Sequence, residues 1–256
     1  MDVDLADAES EIRSFLADYL ADSGADGYVV GVSGGLDSAV AAHVLVDAVG
    51  TDRVTGLVLP GAPSDPENMA DARDLCADLG IEYRETDIQP VVEAVTAAAD
   101  RDLSKEAVGN VRARVRMVLL YQAANADDLL VVGPDNRSEV LLGYFTKYGD
   151  GAADVAPLAD LYKTEVYEFA RRVGVADAIV EKTPTAELWE GQTDPGELGA
   201  SYEVIDDVLA AYVDEGRDVD GVVAATDVDR DLVERFVDMH ESSAHKRERP
   251  PTPGLR

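Results

Sequence analysis

One string limits the possible folds more than any other: Gly31-Val-Ser-Gly-Gly-Leu-Asp-Ser38, set between an apolar β-branched run and a helix-length stretch. Tyr28-Val-Val-Gly-Val-Ser33 reads as a buried strand. Leu36 to Val49, rich in Ala and Val and stopped by Gly50, reads as a helix. The same alternation then repeats. Val54 to Leu59 is a second strand, Gly61 to Pro66 a loop, Glu67 to Leu79 a helix ended by Gly80, and Ile81 to Thr86 a third strand. Residues 106–125 carry the longest helical pattern, and Leu129 to Gly133 is a fourth strand. A further helix over residues 8–22 places Ile12, Phe15, Leu16 and Leu20 on one face. Strands alternating with helices of this length predict an α/β fold: a single-domain, doubly wound, mostly parallel sheet with helices on both faces. Right-handed crossovers bring the C-terminal strand ends to one edge, where ligands usually sit.

After Gly133 the pattern changes. Residues 134–162 and 183–199 are rich in Gly, Pro, Asp and Thr and longer than ordinary connections, which points to functional or disordered loops. Helices resume at about 163–174, 199–212 and 228–240, and the tail, 245–256, is basic and proline-rich. No repeat, low-complexity tract or composition break divides the chain. Residues 1–256 therefore read as one domain, with 46% apolar residues to fill its core.

The glycine-rich string has its own chemistry. Adjacent glycines allow backbone conformations closed to other residues and let amides approach a ligand closely. The helix that follows presents unpaired N–H groups and a partial positive charge, and Ser33 and Ser38 add hydroxyl donors. Together these suit a pyrophosphate group. Asp37 would repel bare phosphate, but makes sense as a ligand for Mg²⁺, which takes carboxylates together with phosphate oxygens. The loop is not a Walker A sequence, because the Gly-Lys-Ser/Thr ending is absent. It does match G-x-S-x-G at Gly31, Ser33 and Gly35, the pattern of a nucleophile elbow. In α/β-hydrolases that elbow comes well into the sheet, whereas this one follows the first strand. A plain glycine turn with no ligand is the remaining reading.

Charge narrows the partners. Fifty-two acids against 22 bases give a net charge of −30, and the pI is about 4.2. A surface this negative repels nucleic acid and anionic lipid, so neither nucleic acid nor membrane is an expected partner. Lysine is scarce. Lys105, Lys147, Lys163, Lys182 and Lys246 are all there is, and acid excess with few lysines suggests a surface adapted to high salt. Cys76 is the single cysteine, which excludes an internal disulfide and a cysteine zinc cluster. The N-terminus is acidic and amphipathic and lacks the basic and apolar regions of a signal peptide. No apolar run reaches the ~18 residues of a membrane span, and a cytoplasmic protein is expected. His43 reads as a packed residue on an apolar helix, and His240 as a complement to a helix end.

Further strings follow the loop. Asn110-Val-Arg-Ala-Arg-Val-Arg-Met117 is helical, with Arg112 and Arg116 on one face and Arg114 elsewhere. Then come Ser138-Glu-Val-Leu-Leu-Gly-Tyr-Phe-Thr-Lys-Tyr-Gly-Asp-Gly151, Leu161-Tyr-Lys-Thr-Glu165, Pro184 to Asp194, and His245-Lys-Arg-Glu-Arg-Pro-Pro251. Several scarce lysines fall in these strings, as anionic ligands would require. The Ser-Gly-Gly-x-Asp-Ser core resembles the PP-loop of ATP pyrophosphatases, and the strings together resemble ammonia-dependent NAD synthetase. That resemblance implies an adenine nucleotide alpha hydrolase-like fold, a homodimer, and ATP- and Mg²⁺-dependent amidation of deamido-NAD by ammonia. It implies that Gly31, Val32, Ser33, Gly34, Gly35, Leu36, Asp37 and Ser38, with Lys163 and Thr185, hold ATP. Asp37 and Glu139 would bind Mg²⁺. Arg114, Lys147, Asp154, His245 and Lys246 would hold deamido-NAD. Where the family often carries Thr, this chain has Pro134, which offers neither hydroxyl nor N–H. The alternatives are another PP-loop ligase or thiolation enzyme, and a non-catalytic nucleotide-binding regulator.

Overall fold

The computed structural model describes residues 3–255. Met1, Asp2 and Arg256, the extreme ends of the expected 1–256 domain, lie outside the described residues. Four strands, β1 (Gly27–Gly31), β2 (Val54–Val58), β3 (Glu82–Glu85) and β4 (Leu129–Val132), form one sheet in the order β3-β2-β1-β4. All pairings are parallel, with Val30 opposite Gly56 and Val132. The strand order reverses at β1, so β1 and β4 diverge at the point where the first strand meets its loop, and a crevice opens there.

The helices that cover the sheet are α1 (Leu5–Ser23), α2 (Leu36–Val49), α3 (Pro66–Leu79), α4 (Gln89–Ala97) and α5 (Lys105–Asp127). Alternation along the strands decides which face each covers. Tyr28 and Val30 pack with Val40, Val44, Leu45 and Met69 on the face of α1, α2 and α3. Val29, Leu57 and Val131 pack with Val92, Val115 and Leu120 on the face of α4 and α5. Tyr28 is fully buried, and its hydroxyl donates to the Leu16 carbonyl at 2.7 Å, pinning α1 to β1. The four β3 residues are exposed, and their charges Glu82, Arg84 and Glu85 blunt the open edge.

The remaining chain forms α6 (Arg137–Leu142), α7 (Lys163–Val173), α8 (Asp177–Val180), α9 (Asp194–Leu198), α10 (Tyr202–Leu209), α11 (Val219–Thr226), α12 (Arg230–Ser242) and α13 (Ala244–Arg247). A second apolar cluster joins α6 and α10 to α12 through Leu142, Ile205, Leu209 and Phe236. The helix expected over 199–212 is α10 followed by one widened π turn at Ala210–Asp214. Helices α6 and α9 lie inside segments expected to be loops, and α4, α8, α11 and α13 arise where no helix was expected. His43 is only half-buried, its Nδ1 2.8 Å from the carbonyl of Ala39 on its own helix. His240 reaches from α12 to the Leu141 carbonyl at 2.9 Å. No helix among the described residues is long and apolar enough to cross a membrane.

Candidate active site

The glycine loop turns directly into α2. Gly35 is the N-cap, and no side chain caps the helix, so its first amides remain open to a ligand. The loop is braced by its own serines. The Ser33 and Ser38 hydroxyls lie 3.1 Å apart, Ser38 Oγ donates to the Gly35 carbonyl at 3.0 Å, and Ser33 N–H donates to Ser38 Oγ at 3.2 Å.

Asp37 sits in the first turn of α2 and faces the segment leaving β4. There Asn136 caps α6 in a reciprocal capping box with Glu139. Its side-chain amide also donates to Asp37 Oδ1 at 3.0 Å. One fully buried asparagine thus orients both carboxylates expected to hold metal. Lys163, the first residue of α7 and 2% exposed, places its ammonium between them. It is paired with Asp37 and is 3.2 Å from Glu139 Oε1. The start of α7 is fixed from below: Lys163 N–H donates to Ser138 Oγ at 2.8 Å, and Thr164 N–H to Asp206 at 2.9 Å.

Electrostatics at this cluster follow from burial. One ammonium cannot neutralise two carboxylates. Desolvation works to lower the Lys163 value, but Asp37 and Glu139 overcome it and keep the ammonium charged. Glu139 is left under-compensated. Burial pushes its carboxyl up to about 7 against the pull of Lys163, with Asp37 and Asp194 adding repulsion. Burial also raises Asp135 well above the carboxylate range, with Asp150, Glu139 and Asp37 contributing. Asp194, itself buried, accepts from the Tyr202 hydroxyl at 2.9 Å.

These groups border a cavity of about 280 Å³ at the C-terminal ends of β1 and β4. The whole string Gly31 to Ser38 except Gly34 lines it, together with Glu139, Lys163 and Thr185. The other wall is Arg116 of α5 and the segment 182–188. Arg116 donates to the Leu59 carbonyl at 3.1 Å and Arg112 to the Leu188 carbonyl at 2.7 Å, so both arginines on that helix face tie loops around the cavity. Thr185 spends its hydroxyl on the Gln192 carbonyl at 2.8 Å. Pro134 also lines the cavity.

The residues expected to hold the second substrate lie outside this lining and fall into three groups. Arg114 donates to the Lys147 carbonyl at 3.1 Å, and Lys147 pairs with the His245 carbonyl, with His245 Nδ1 3.3 Å away. Lys246 donates to the carbonyls of Gly143 and Phe145 at 2.6 and 2.8 Å. Asp154 stands apart, its carboxylate accepting from Val131 N–H at 2.8 Å and the Tyr121 hydroxyl at 3.1 Å. Arg114 and Lys147 neighbour Ala113, Tyr144 and Asp150 in the chain, and Lys246 grips the carbonyls on either side of Tyr144, so the first two groups form a basic rim beside the cavity that those three residues line.

A family model described as NAD synthase matches residues 9–250. The chain belongs to the NAD synthase family. Among curated NAD synthases, the NH(3)-dependent NAD(+) synthetase of Halobacterium salinarum is 46% identical over 251 residues, covering 98% of this chain and 94% of that protein. Among solved structures, one of NMN synthetase from Francisella tularensis matches with a TM-score of 0.88 and 37% identity, covering 99% of this chain and 100% of that one. The NH3-dependent NAD synthetase from Campylobacter jejuni, solved with nitrate, matches with a TM-score of 0.83 and 29% identity over 98% of this chain and 99% of that one. The parallel sheet and the crevice beside β1 are thus the NAD synthase fold. Four site residues had no individual signal in the sequence reading: Asn136, Asp135, Asp194 and Tyr202. Only Asn136 could have been found, because Asn-x-x-Glu directly after a strand is a capping-box pattern.

Proposed function

We propose that this chain joins ammonia to the nicotinate carboxylate of deamido-NAD at the expense of ATP, giving NAD, AMP and pyrophosphate. It is a ligase forming a C–N bond. The observation that carries this reading is the Asp37–Lys163–Glu139 cluster held against the uncapped N-terminus of α2. That arrangement suits a polyphosphate on the amides and a divalent ion on the carboxylates.

The residues fit Mg²⁺. Asn136 pre-orients Asp37 and Glu139, and among the described residues no third His, Cys, Asp or Glu completes a protein-only metal cage. An ion here would be shared with phosphate oxygens and water, which is the habit of Mg²⁺. When bound, it supplies charge neutralisation to the departing pyrophosphate. The chain's own groups do the rest. The open amides in the first turn of α2 grip the phosphates, and Lys163 follows the negative charge as the α–β bond breaks. The carboxylate oxygen of the substrate attacks the α-phosphorus and an acyl-adenylate forms. Ammonia then attacks the carbonyl carbon and AMP departs with that oxygen. No covalent enzyme intermediate is required; alignment and electrostatics supply the rate.

Thr185 and Pro134 would border the nucleotide. The basic rim of Arg114, Lys147, His245 and Lys246, with Asp154, would hold the pyridine dinucleotide. Free ammonia is the donor that the relatives' names carry. Cys76, buried on α3 with its thiol pushed up to about 11 by burial, is no nucleophile for glutamine. Exposed Phe15 and Tyr19 on α1 and Val118 on α5 supply surface for a homodimer. The acid coat suits a salt-rich cytoplasm.

The test is incubation with ATP, Mg²⁺, ammonium and deamido-NAD, followed by detection of NAD and AMP. Asp37→Ala should abolish both products while leaving the circular-dichroism spectrum unchanged, and an active Asp37→Ala enzyme would refute the metal role. Because NMN synthetase shares this fold, a parallel arm offers nicotinate mononucleotide in place of deamido-NAD; faster turnover there would move the substrate assignment to the mononucleotide.

A further inference from the structure

We infer that Lys182 is a positioning residue for the ATP phosphates, acting through the backbone of Gly34. This rests on the reading that the loop at 31–38 grips ATP. The Lys182 ammonium donates to the Gly34 carbonyl at 2.9 Å and to Asn68 Oδ1 at 2.6 Å, and pairs with Asp71. Asn68 in turn donates to Glu187. A single ammonium therefore joins the phosphate loop, the start of α3 and the segment that walls the cavity.

The consequence lies in the peptide linking Gly34 to Gly35. In a planar trans peptide the C=O and N–H point in opposite directions. With the Gly34 oxygen held outward by Lys182, the Gly35 N–H turns back into the loop, where it meets Ser33 Oγ at 3.3 Å. Two adjacent glycines make this the softest peptide plane in the loop. Gly34 has φ +78°, and a methyl group there would run into the Asn68 carbonyl, so the loop reaches α3 only as glycine. If that peptide flipped, a carbonyl oxygen would replace the amide hydrogen beside Ser33 Oγ, break the brace of the loop and add negative potential where an anion is to bind. Lys182 biases the plane against that flip. In a chain with five lysines and 52 acids, one lysine is held at a backbone carbonyl of the phosphate loop while remaining one of the cavity-lining residues.

The experiment compares full-length wild type with Lys182→Met, Lys182→Arg and Asp71→Asn. Calorimetry measures the Kd of MgATP and, separately, of deamido-NAD. Lys182→Met should weaken MgATP by about 10- to 100-fold, the range for losing a charged donor. Deamido-NAD affinity should stay within about twofold, inside the scatter of a site left untouched. Lys182→Arg should recover most of the loss. Asp71→Asn removes the ion pair but keeps the Gly34 contact, and should hold MgATP near the wild-type Kd. Wild-type MgATP affinity in Lys182→Met overturns the inference. So does an Asp71→Asn loss as large as that of Lys182→Met, which would reduce Lys182 to an ordinary ion pair. If the Lys182→Met chain does not fold, Lys182→Thr replaces it under the same criteria. Failure of the wild type to bind MgATP at all would instead sink the reading of the loop itself.

Discussion

Glu139 carries the most informative single charge in the molecule. Its carboxyl is buried beside an ammonium that it shares with Asp37, and burial raises it from the ordinary 4.5 to about 7. The sign follows from linkage. A carboxyl whose folded value lies above its unfolded value binds its proton more tightly in the folded chain. The cost of the buried charge is therefore fully present above about pH 7 and fades as the pH falls towards 4.5. A cation competes with that proton, so Mg²⁺ bound with ATP should weaken as the pH drops below about 7 and level off above it. Titration calorimetry at pH 6, 7 and 8 measures this directly, and affinity that does not vary across that range would remove Glu139 from the metal site. Lys163 explains how two carboxylates survive together before any ion arrives. Replacing one member of such a group leaves the others less well compensated, so the cluster acts as a unit.

At the scale of elements, the segment 182–193 is latched to α5 from outside the chemistry. Gly109 lies where an added methyl would come within 3.1 Å of Leu188 and Trp189, and Lys105 stacks over the Trp189 ring at 4.8 Å. Gly109→Leu should push this segment away from the helix, raise KM for ATP several-fold and shift the emission of the single tryptophan to the red; unchanged emission would show that the latch holds without the glycine. The elements themselves were legible in proportion to their own local signals. The helix Leu36–Val49 matches its expected bounds because Gly35 and Gly50 bracket it. The four strands were visible as short runs between turn residues; β1 begins one residue before its expected start and ends two before its expected end, and the other three are one or two residues shorter than expected. Helices α4, α6, α8, α9, α11 and α13 were not visible. They are nine residues or shorter, and such lengths gain their stability from tertiary packing rather than propensity. The site divided in the same way. The loop with Asp37, together with Glu139, Lys163 and Thr185, could be named because their strings resemble a known family, and all of these residues except Gly34 border one cavity. The Asn136 bridge to Asp37 spans 99 positions and the Lys182 contact with Gly34 spans 148. Contacts across such separations are set by the fold and leave no mark in local sequence.

Over the whole molecule, a net charge of −30 sets the working conditions. Like charges spread over one surface destabilise the compact state, and salt screens them; the Debye length falls from about 10 Å at 0.1 M to about 3 Å at 1 M. Raising KCl from 0.1 to 2 M should therefore raise the thermal midpoint by several degrees, measured by differential scanning calorimetry, and a midpoint that falls with salt would contradict a salt-adapted surface. The same coat makes the cationic side chains of Arg114, Lys147 and Lys246 conspicuous beside the cavity. If the crevice beside β1 joins a carboxylate to the α-phosphorus of ATP, one carboxylate oxygen must leave with AMP. The most direct test is turnover of deamido-NAD labelled with ¹⁸O in its nicotinate carboxylate, with mass spectrometry of the products. With both carboxylate oxygens labelled, each AMP should carry one ¹⁸O and pyrophosphate none. AMP free of label, or label recovered in inorganic phosphate, would contradict it.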